Sequence, residues 1–267
     1  MRTAILIPAR YASTRYPGKP LVELTDGAGV KKTLIRRSWD AAMAVAGVDD
    51  VFVATDSDEI RAAAEGFGAR VIMTSEECEN GTERCADAMR RAGLTHDLIV
   101  NLQGDAPLTP PWFAEALIAA MAGDPDAGMA TPVLRCDAET YRHFLDDRRA
   151  GRVGGTTAVF APDRRALYFS KEVIPFVDPA KVGKPHEKVF HHVGLYAYRP
   201  AALDRYTGWT PGPLETLEGL EQLRFLENGE RVHCVEVDGR GRVFWELNNP
   251  GDVARIEAVL SRQAEGA

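Results

Sequence analysis

Over its first 135 residues the chain alternates short apolar runs with stretches of helical spacing, and that alternation restricts the fold more than any other feature. Apolar runs at 4–7, 51–56, 70–73, 97–102 and 128–133 read as strands, most of them buried on both faces. Residues 33–46 carry apolar side chains at helical spacing. Asp58-Glu59-Ile60 opens an Ala-rich helix, and another helix follows Gly81-Thr82-Glu83. Strands alternating with helices build βαβ units, a mainly parallel sheet and right-handed crossovers. The expected fold is therefore α/β and Rossmann-like.

The pattern changes near residue 150. Gly151, Gly154 and Gly155 mark a turn-rich stretch. Residues 156–160 and 191–198 are β-branched or aromatic and read as antiparallel strands. Between them, 175–188 is broken by Pro175, Pro179, Gly183 and Pro185 and reads as an exposed excursion or an oligomer contact. Residues 213–226 read as one helix with Pro213 in its first turn. Residues 231–237 and 242–247 read as strands, and 250–262 as a closing helix. At 267 residues this amounts to one large α/β domain, 1–267, with a β-rich insertion near 155–200.

The loop after the first strand carries the chemistry. It runs Pro8-Ala9-Arg10-Tyr11-Ala12-Ser13-Thr14-Arg15-Tyr16-Pro17-Gly18-Lys19-Pro20, with three cations (Arg10, Arg15, Lys19). Loops at the C-terminal ends of parallel strands are where α/β folds bind ligands. Cations and small residues there suit a polyanion, most simply a triphosphate. The net charge of −7 sets this loop against an acidic background and argues against a general nucleic-acid partner. No apolar run approaches the roughly 20 residues of a membrane span. The N-terminus lacks a signal-peptide layout. Cys78, Cys85, Cys136 and Cys234 form no metal-ligand spacing and read as reduced thiols of a cytoplasmic protein.

Gln103-Gly104-Asp105 closes a buried strand. Gly104 permits close backbone approach. Asp105 reads either as a cap for the next helix or as a hard oxygen ligand for Mg²⁺. Gly81-Thr82-Glu83-Arg84 begins a helix, whose free N–H groups suit simple capping or an anion or base carbonyl.

Together with Leu220-Glu221-Gln222-Leu223-Arg224, these motifs resemble the 3-deoxy-manno-octulosonate cytidylyltransferase (CMP-Kdo synthetase) family. The likeness runs from Ile7 through Leu21, then through Val53-Ala54-Thr55-Asp56, Met73-Thr74, Asn80-Gly81-Thr82-Glu83-Arg84 and Asn101-Leu102-Gln103-Gly104-Asp105. It continues at Ala166-Leu167-Tyr168-Phe169-Ser170, His192-Val193-Gly194-Leu195-Tyr196 and Pro213-Leu214-Glu215. The resemblance implies a nucleotide-diphospho-sugar transferase fold. It implies CTP and Mg²⁺, and transfer of a cytidylyl group to the anomeric hydroxyl of an eight-carbon sugar acid with release of pyrophosphate, feeding lipopolysaccharide or capsule assembly. It also implies a homodimer, with 175–190 as a contact.

By the same resemblance Ala9, Arg10, Ser13, Arg15, Lys19, Gly81, Thr82, Arg84 and Gln103 lie at the nucleotide, with Asp105 on the metal. Gln103, Lys171, His191, His192, Tyr196, Glu221 and Gln222 fall in the sugar-binding segments. Lys171 and His191 stand where the family commonly has Arg, and are expected to keep the positive potential. Ala106 replaces a common Glu, and Gly154-Gly155-Thr156-Thr157 lacks a common Lys. Near the C-terminus the family's Gly-Val-Asp-Thr-Pro becomes Leu247-Asn248-Asn249-Pro250 after Glu246. Asn248 takes the place of a metal-binding Asp, and Glu246, two residues back on a strand, would share its face. Either Glu246 supplies the missing carboxylate or Asp105 and the triphosphate hold the metal with waters. These departures leave two further readings: a related acceptor (8-amino-Kdo, a neuraminate-like acid or a phosphonate), or a catalytically weak nucleotide-binding relative.

Overall fold

The N-terminal apolar run forms β1 (Thr3–Ala9), buried at every residue. This computed structural model describes the chain except for residues 13–15, 154, 179, 242–246, 248 and 266–267, and describes only the backbone of 263–265. The chain divides into two compact units, residues 1–115 with 241–267, and residues 116–240.

In the first unit a hairpin of β2 (Glu23–Thr25) and β3 (Lys31–Thr33) precedes α1 (Leu34–Met43). There follow β4 (Asp50–Thr55), α2 (Asp58–Gly66), β5 (Arg70–Met73), α3 (Gly81–Arg91) and β6 (Leu98–Leu102). β1 pairs in parallel with β4 on one side and β6 on the other, and β4 pairs in parallel with β5. Ile5, Leu6 and Ile7 are fully buried, each contributing roughly 1.5–3 kcal/mol of apolar burial. Each helix starts on a side-chain cap: Thr33 accepts from Arg36 N–H, Ser57 from Ile60 N–H and Asn80 from Glu83 N–H. The strands therefore end, and the helices begin, on one edge of the sheet.

After α4 (Pro111–Gly123), the second unit holds β7 (Met129–Arg135), α5 (Ala138–Arg149), β8 (Thr156–Phe160), β9 (Ala166–Ser170), β10 (Phe190–His192) and β11 (Leu195–Tyr198). They are followed by α6 (Pro200–Gly208), α7 (Pro213–Glu218), α8 (Leu223–Glu227) and β12 (Val232–Glu236). β7 pairs antiparallel with β10 and β11 and parallel with β12, while β8 pairs antiparallel with β10 and β9. α9 (Asp252–Glu265) returns to the first unit, where Ile256 and Val259 pack with Leu24, Leu34, Leu108 and Leu247.

Two expectations need correction. The single strand at 191–198 is two strands. Against β7, His192 faces Val133 and Ala197 faces Ala130, so five steps on one chain oppose three on the other. The surplus is taken up at Val193-Gly194, where Leu195 N–H folds back to Val193 O at 2.8 Å. The single helix at 213–226 is broken at Gly219, whose φ of 61° gives a left-handed cap with its N–H on Glu215 O at 2.7 Å. The strand expected at 242–247 falls, apart from Leu247, outside the described residues.

Candidate active site

At the end of β1 the chain passes from buried Ala9 to exposed Arg10, whose Nη1 donates to Glu79 O at 3.4 Å. Ser13 and Arg15 lie outside the described residues. The loop closes where Gly18 N–H meets Tyr11 O at 3.0 Å, with Gly18 at a positive φ of 69°. A short 3₁₀ turn, Lys19–Leu21, then points Lys19 inward. Its Nζ lies 2.6 Å from Asp105 Oδ2, the side chains being 14% and 26% exposed.

Asp105 reaches that position because Gly104 has no side chain. A Cβ there would lie 2.6 Å from Pro8 O, a backbone atom of β1. Gly104 O also accepts from Ser38 Oγ at 3.0 Å, tying the turn to α1. An ammonium, which can meet a phosphate oxygen, and a carboxylate, which can ligate a hard divalent cation, thus stand side by side beyond the strand ends.

α3 supplies the next wall. A Cβ on its first residue, Gly81, would come within 3.0 Å of Gln103 Nε2 and 3.3 Å of Asn101 Nδ2. Thr82 is fully buried. Arg84 is 2% exposed and engaged within the fold: Nη2 donates to Asp56 Oδ2 at 2.8 Å, and Nη1 to Thr74 Oγ1 at 2.5 Å and Ser75 O at 3.3 Å. Its guanidinium therefore joins the ends of β4 and β5 to α3.

Glu246 and Asn248 lie outside the described residues, but Leu247 between them donates its N–H to Asp105 O at 2.9 Å. Among the described residues no group of three or more His, Cys, Asp or Glu side chains could hold a metal. Among the described residues no helix is long and apolar enough to cross a membrane.

The second unit holds the residues expected at the sugar acid other than Gln103, which lies in the first. Lys171 follows β9. Its N–H donates to Glu218 Oε2 at 2.9 Å, and Ser170 Oγ donates to Glu218 Oε1 at 2.6 Å. Glu218, at the end of α7, thus fixes the turn that presents Lys171, and no sequence signal marks it as site machinery. A Cβ on Gly219 would lie 3.1 Å from Lys171 Nζ.

Thr131 Oγ1 donates to Leu195 O at 3.0 Å, which leaves it to accept from His192 Nε2–H at 2.9 Å. The His192 ring centroid lies 5.0 Å from that of Phe169 and 5.7 Å from that of Tyr196. Tyr196 OH donates to Gln222 Oε1 at 3.3 Å, and Gln222 is 1% exposed. Glu221 beside it is half-buried. Below them Arg224 pairs with buried Glu215 at 2.6 and 2.7 Å, bracing α8 on α7.

Burial pushes the His192 imidazole down to about 3 and that of His191 down to about 4. His191 packs edge-on to Phe144 at 5.1 Å. Both rings are thus neutral near pH 7, and the expectation that His191 keeps positive potential is corrected. Among the residues expected here, Lys171 carries the cation.

A family model described as cytidylyltransferase matches residues 4–232. A 3-deoxy-manno-octulosonate cytidylyltransferase of Maricaulis maris (strain MCS10) is 42% identical over 265 residues, covering 99% of each chain. The protein of that name from Myxococcus xanthus (strain DK1622) is 40% identical over 262 residues, covering 97% of this chain and 96% of its own. A solved CMP:2-keto-3-deoxy-manno-octonic acid synthetase complexed with CTP superposes with a TM-score of 0.84 at 31% identity, covering 100% of each chain.

Proposed function

This chain belongs to the cytidylyltransferase family, and from that membership we propose that it transfers CMP from CTP to the anomeric 2-hydroxyl of 3-deoxy-D-manno-octulosonate (Kdo), releasing pyrophosphate. It is a nucleotidyltransferase, and its product serves lipopolysaccharide biosynthesis. The observation that carries the reading is the Lys19–Asp105 pair at the ends of β1 and β6.

In the reaction the acceptor oxygen bonds to the α-phosphorus as the bond to the pyrophosphate oxygen breaks, and the hydroxyl proton passes to solvent. Charge grows on the leaving pyrophosphate. Arg10, Arg15 and Lys19 meet it, Arg through bidentate geometry and Lys as a point charge. With Ala9 and Ser13 they line the triphosphate, while Gly81, Thr82 and Gln103 stand at the nucleoside. Arg84 holds α3 in place for them. Positioning and electrostatics supply most of the rate in such displacements.

The donor chemistry fits a hard divalent ion. Asp105 offers a partly exposed carboxylate, and Mg²⁺ is commonly held by one or two carboxylates together with substrate phosphates. Asp105 would hold Mg²⁺, with Glu246 or Asn248 as the second protein ligand, and the ion would polarise the α-phosphate. The Leu247–Asp105 hydrogen bond supports this, since it ties the chain between 246 and 248 to the metal-binding residue. Glu246→Gln is expected to raise the Mg²⁺ concentration needed for half-maximal rate. An unchanged requirement assigns no ligand role to Glu246.

In the second unit, Lys171 faces the acceptor carboxylate, and His192, Tyr196, Glu221 and Gln222 provide neutral or carboxylate partners for its hydroxyls. His191 shapes the wall beside Phe144. We place the enzyme in the cytoplasm, where CTP is made, as a single catalytic domain. Residues 155–200 contribute to the sugar site and to a homodimer contact, which light scattering tests.

The central experiment is pyrophosphate release with CTP, Mg²⁺ and a panel of acids. Turnover is expected with Kdo. No turnover with Kdo beside turnover of 8-amino-Kdo or a neuraminate-like acid would move the acceptor assignment. CTP binding without pyrophosphate from any acid would leave a nucleotide-binding relative.

A further inference from the structure

Asn101 on β6 is fully buried, and neither its Nδ2 nor its Oδ1 has a hydrogen-bond partner. Buried side-chain amides are nearly always paired, so an orphan at the end of a ligand-binding strand calls for a partner that arrives later. Gln103 follows the last residue of β6, two positions after Asn101, and alternation carried one step past the strand puts both on one side. Both amides converge on the first residue of α3: a Cβ on Gly81 would lie 3.0 Å from Gln103 Nε2, 3.2 Å from Gln103 Oε1 and 3.3 Å from Asn101 Nδ2. Gln103 is half-buried, while Asn101 has no exposure at all.

A glutamine amide donates at one end and accepts at the other, and it flips between them with little change of shape. Left free, it serves a pyrimidine whose 4-position donates (cytosine) as well as one whose 4-position accepts (uracil). A second amide that takes its NH₂ end removes the choice and leaves the carbonyl facing outward.

We propose that Asn101 is a positioning residue: when the nucleotide binds, its Oδ1 accepts from Gln103 Nε2, so that Gln103 Oε1 faces the 4-amino group and CTP is selected over UTP. The inference rests on the reading that places the nucleoside at the start of α3.

Asn101→Leu tests it, because leucine has similar volume and no polar atoms. Asn101 has no hydrogen bond to lose in the free enzyme, so the thermal midpoint is expected to hold or rise. The ratio of kcat/KM for CTP over UTP is expected to fall at least tenfold. In Asn101→Leu/Gln103→Leu the ratio should match that of Gln103→Leu alone, since the two residues act as a unit. Asn101→Asp keeps an acceptor oxygen and should keep the CTP preference.

A lowered midpoint with an unchanged CTP:UTP ratio would show a structural role and overturn the proposal, as would additive losses in the double variant. Calorimetric affinities for CTP and UTP read the same ratio without any acceptor. The proposal therefore stands or falls even if Kdo proves the wrong acid, and absence of CTP binding by the wild-type chain would instead sink the nucleotide reading itself.

Discussion

Replacing Arg84 with methionine separates a residue that binds nucleotide from one that builds the site. The Arg84 side chain is 3% exposed and that of Asp56 12%, with Nη2 and Oδ2 2.8 Å apart. Thr74 Oγ1 and Ser75 O take further N–H groups of the same guanidinium. Removing one partner of a buried ion pair costs about 3–5 kcal/mol, because the carboxylate left behind is desolvated and uncompensated. In a chain of this size that corresponds to a fall in thermal midpoint on the order of 10 °C. Arg84→Met/Asp56→Leu, which removes both charges, should recover most of the loss. The assay is thermal and guanidinium unfolding of the wild type and both variants, beside the KM for CTP. Arg84→Met should lower the midpoint, and the double variant should restore it. An unchanged midpoint with a tenfold rise in KM for CTP would refute the argument and make Arg84 a direct nucleotide contact.

Three further perturbations follow from the same geometry. Gly104→Ala places a Cβ 2.6 Å from Pro8 O, so the strand ends must part at a cost of about 1–3 kcal/mol, and kcat should fall more than KM rises; wild-type kinetics would mean that the backbone there yields freely. Lys19→Met should lower kcat/KM by roughly 10²–10³, with little change in unfolding midpoint because the ion pair is partly solvated; a loss below threefold would remove Lys19 from the transition state. His192 is neutral in the fold, with its pKa pushed down to about 3, so as pH falls below its unfolded value of about 6.5 the unfolded chain takes the proton first. Stability contributed by this group is present above pH 6.5 and is lost toward pH 3, at up to about 1.4 kcal/mol per pH unit. His192→Gln should flatten unfolding free energy against pH across that window, and an unchanged slope would deny the buried neutral ring.

The first unit was legible because its strands are continuous apolar runs and its helices begin on short polar caps. Thr33, Ser57 and Asn80 each sit where the spacing changes from strand to helix. The hairpin of β2 and β3 was not legible, since three-residue strands carry too little alternation to stand out. α5 and α6 also went unread, although Asp137 caps the first and Pro200 opens the second. The breaks at Val193-Gly194 and Gly219 are set by register against β7 and by a left-handed cap. Neither is visible in local hydrophobic spacing.

For the site, the signals the sequence offers are tied to backbone exceptions and to charge out of place: a cationic loop on an acidic chain, and a glycine before Asp105. What the sequence does not show is a distant partner or a burial. Arg84 reads in the sequence as a cation beside the nucleotide, and its pairing with Asp56, 28 residues earlier, is not visible there. His191 looks like a cation until its position beside Phe144 makes it neutral.

The glycines explain why chemistry gathers where it does. Gly104 lets Asp105 reach Lys19, Gly81 gives Gln103 and Asn101 room against α3, and Gly219 leaves space for Lys171 Nζ. At Gly81 and Gly219 a polar side chain occupies the volume in which a Cβ would crowd, and at Gly104 a backbone carbonyl does. Functional groups in this chain are thus placed less by their own rotamers than by missing side chains on neighbouring elements. A methyl group added at Gly104 or Gly81 should therefore lower turnover by displacing the neighbouring group, and wild-type kcat in both variants would refute this placement.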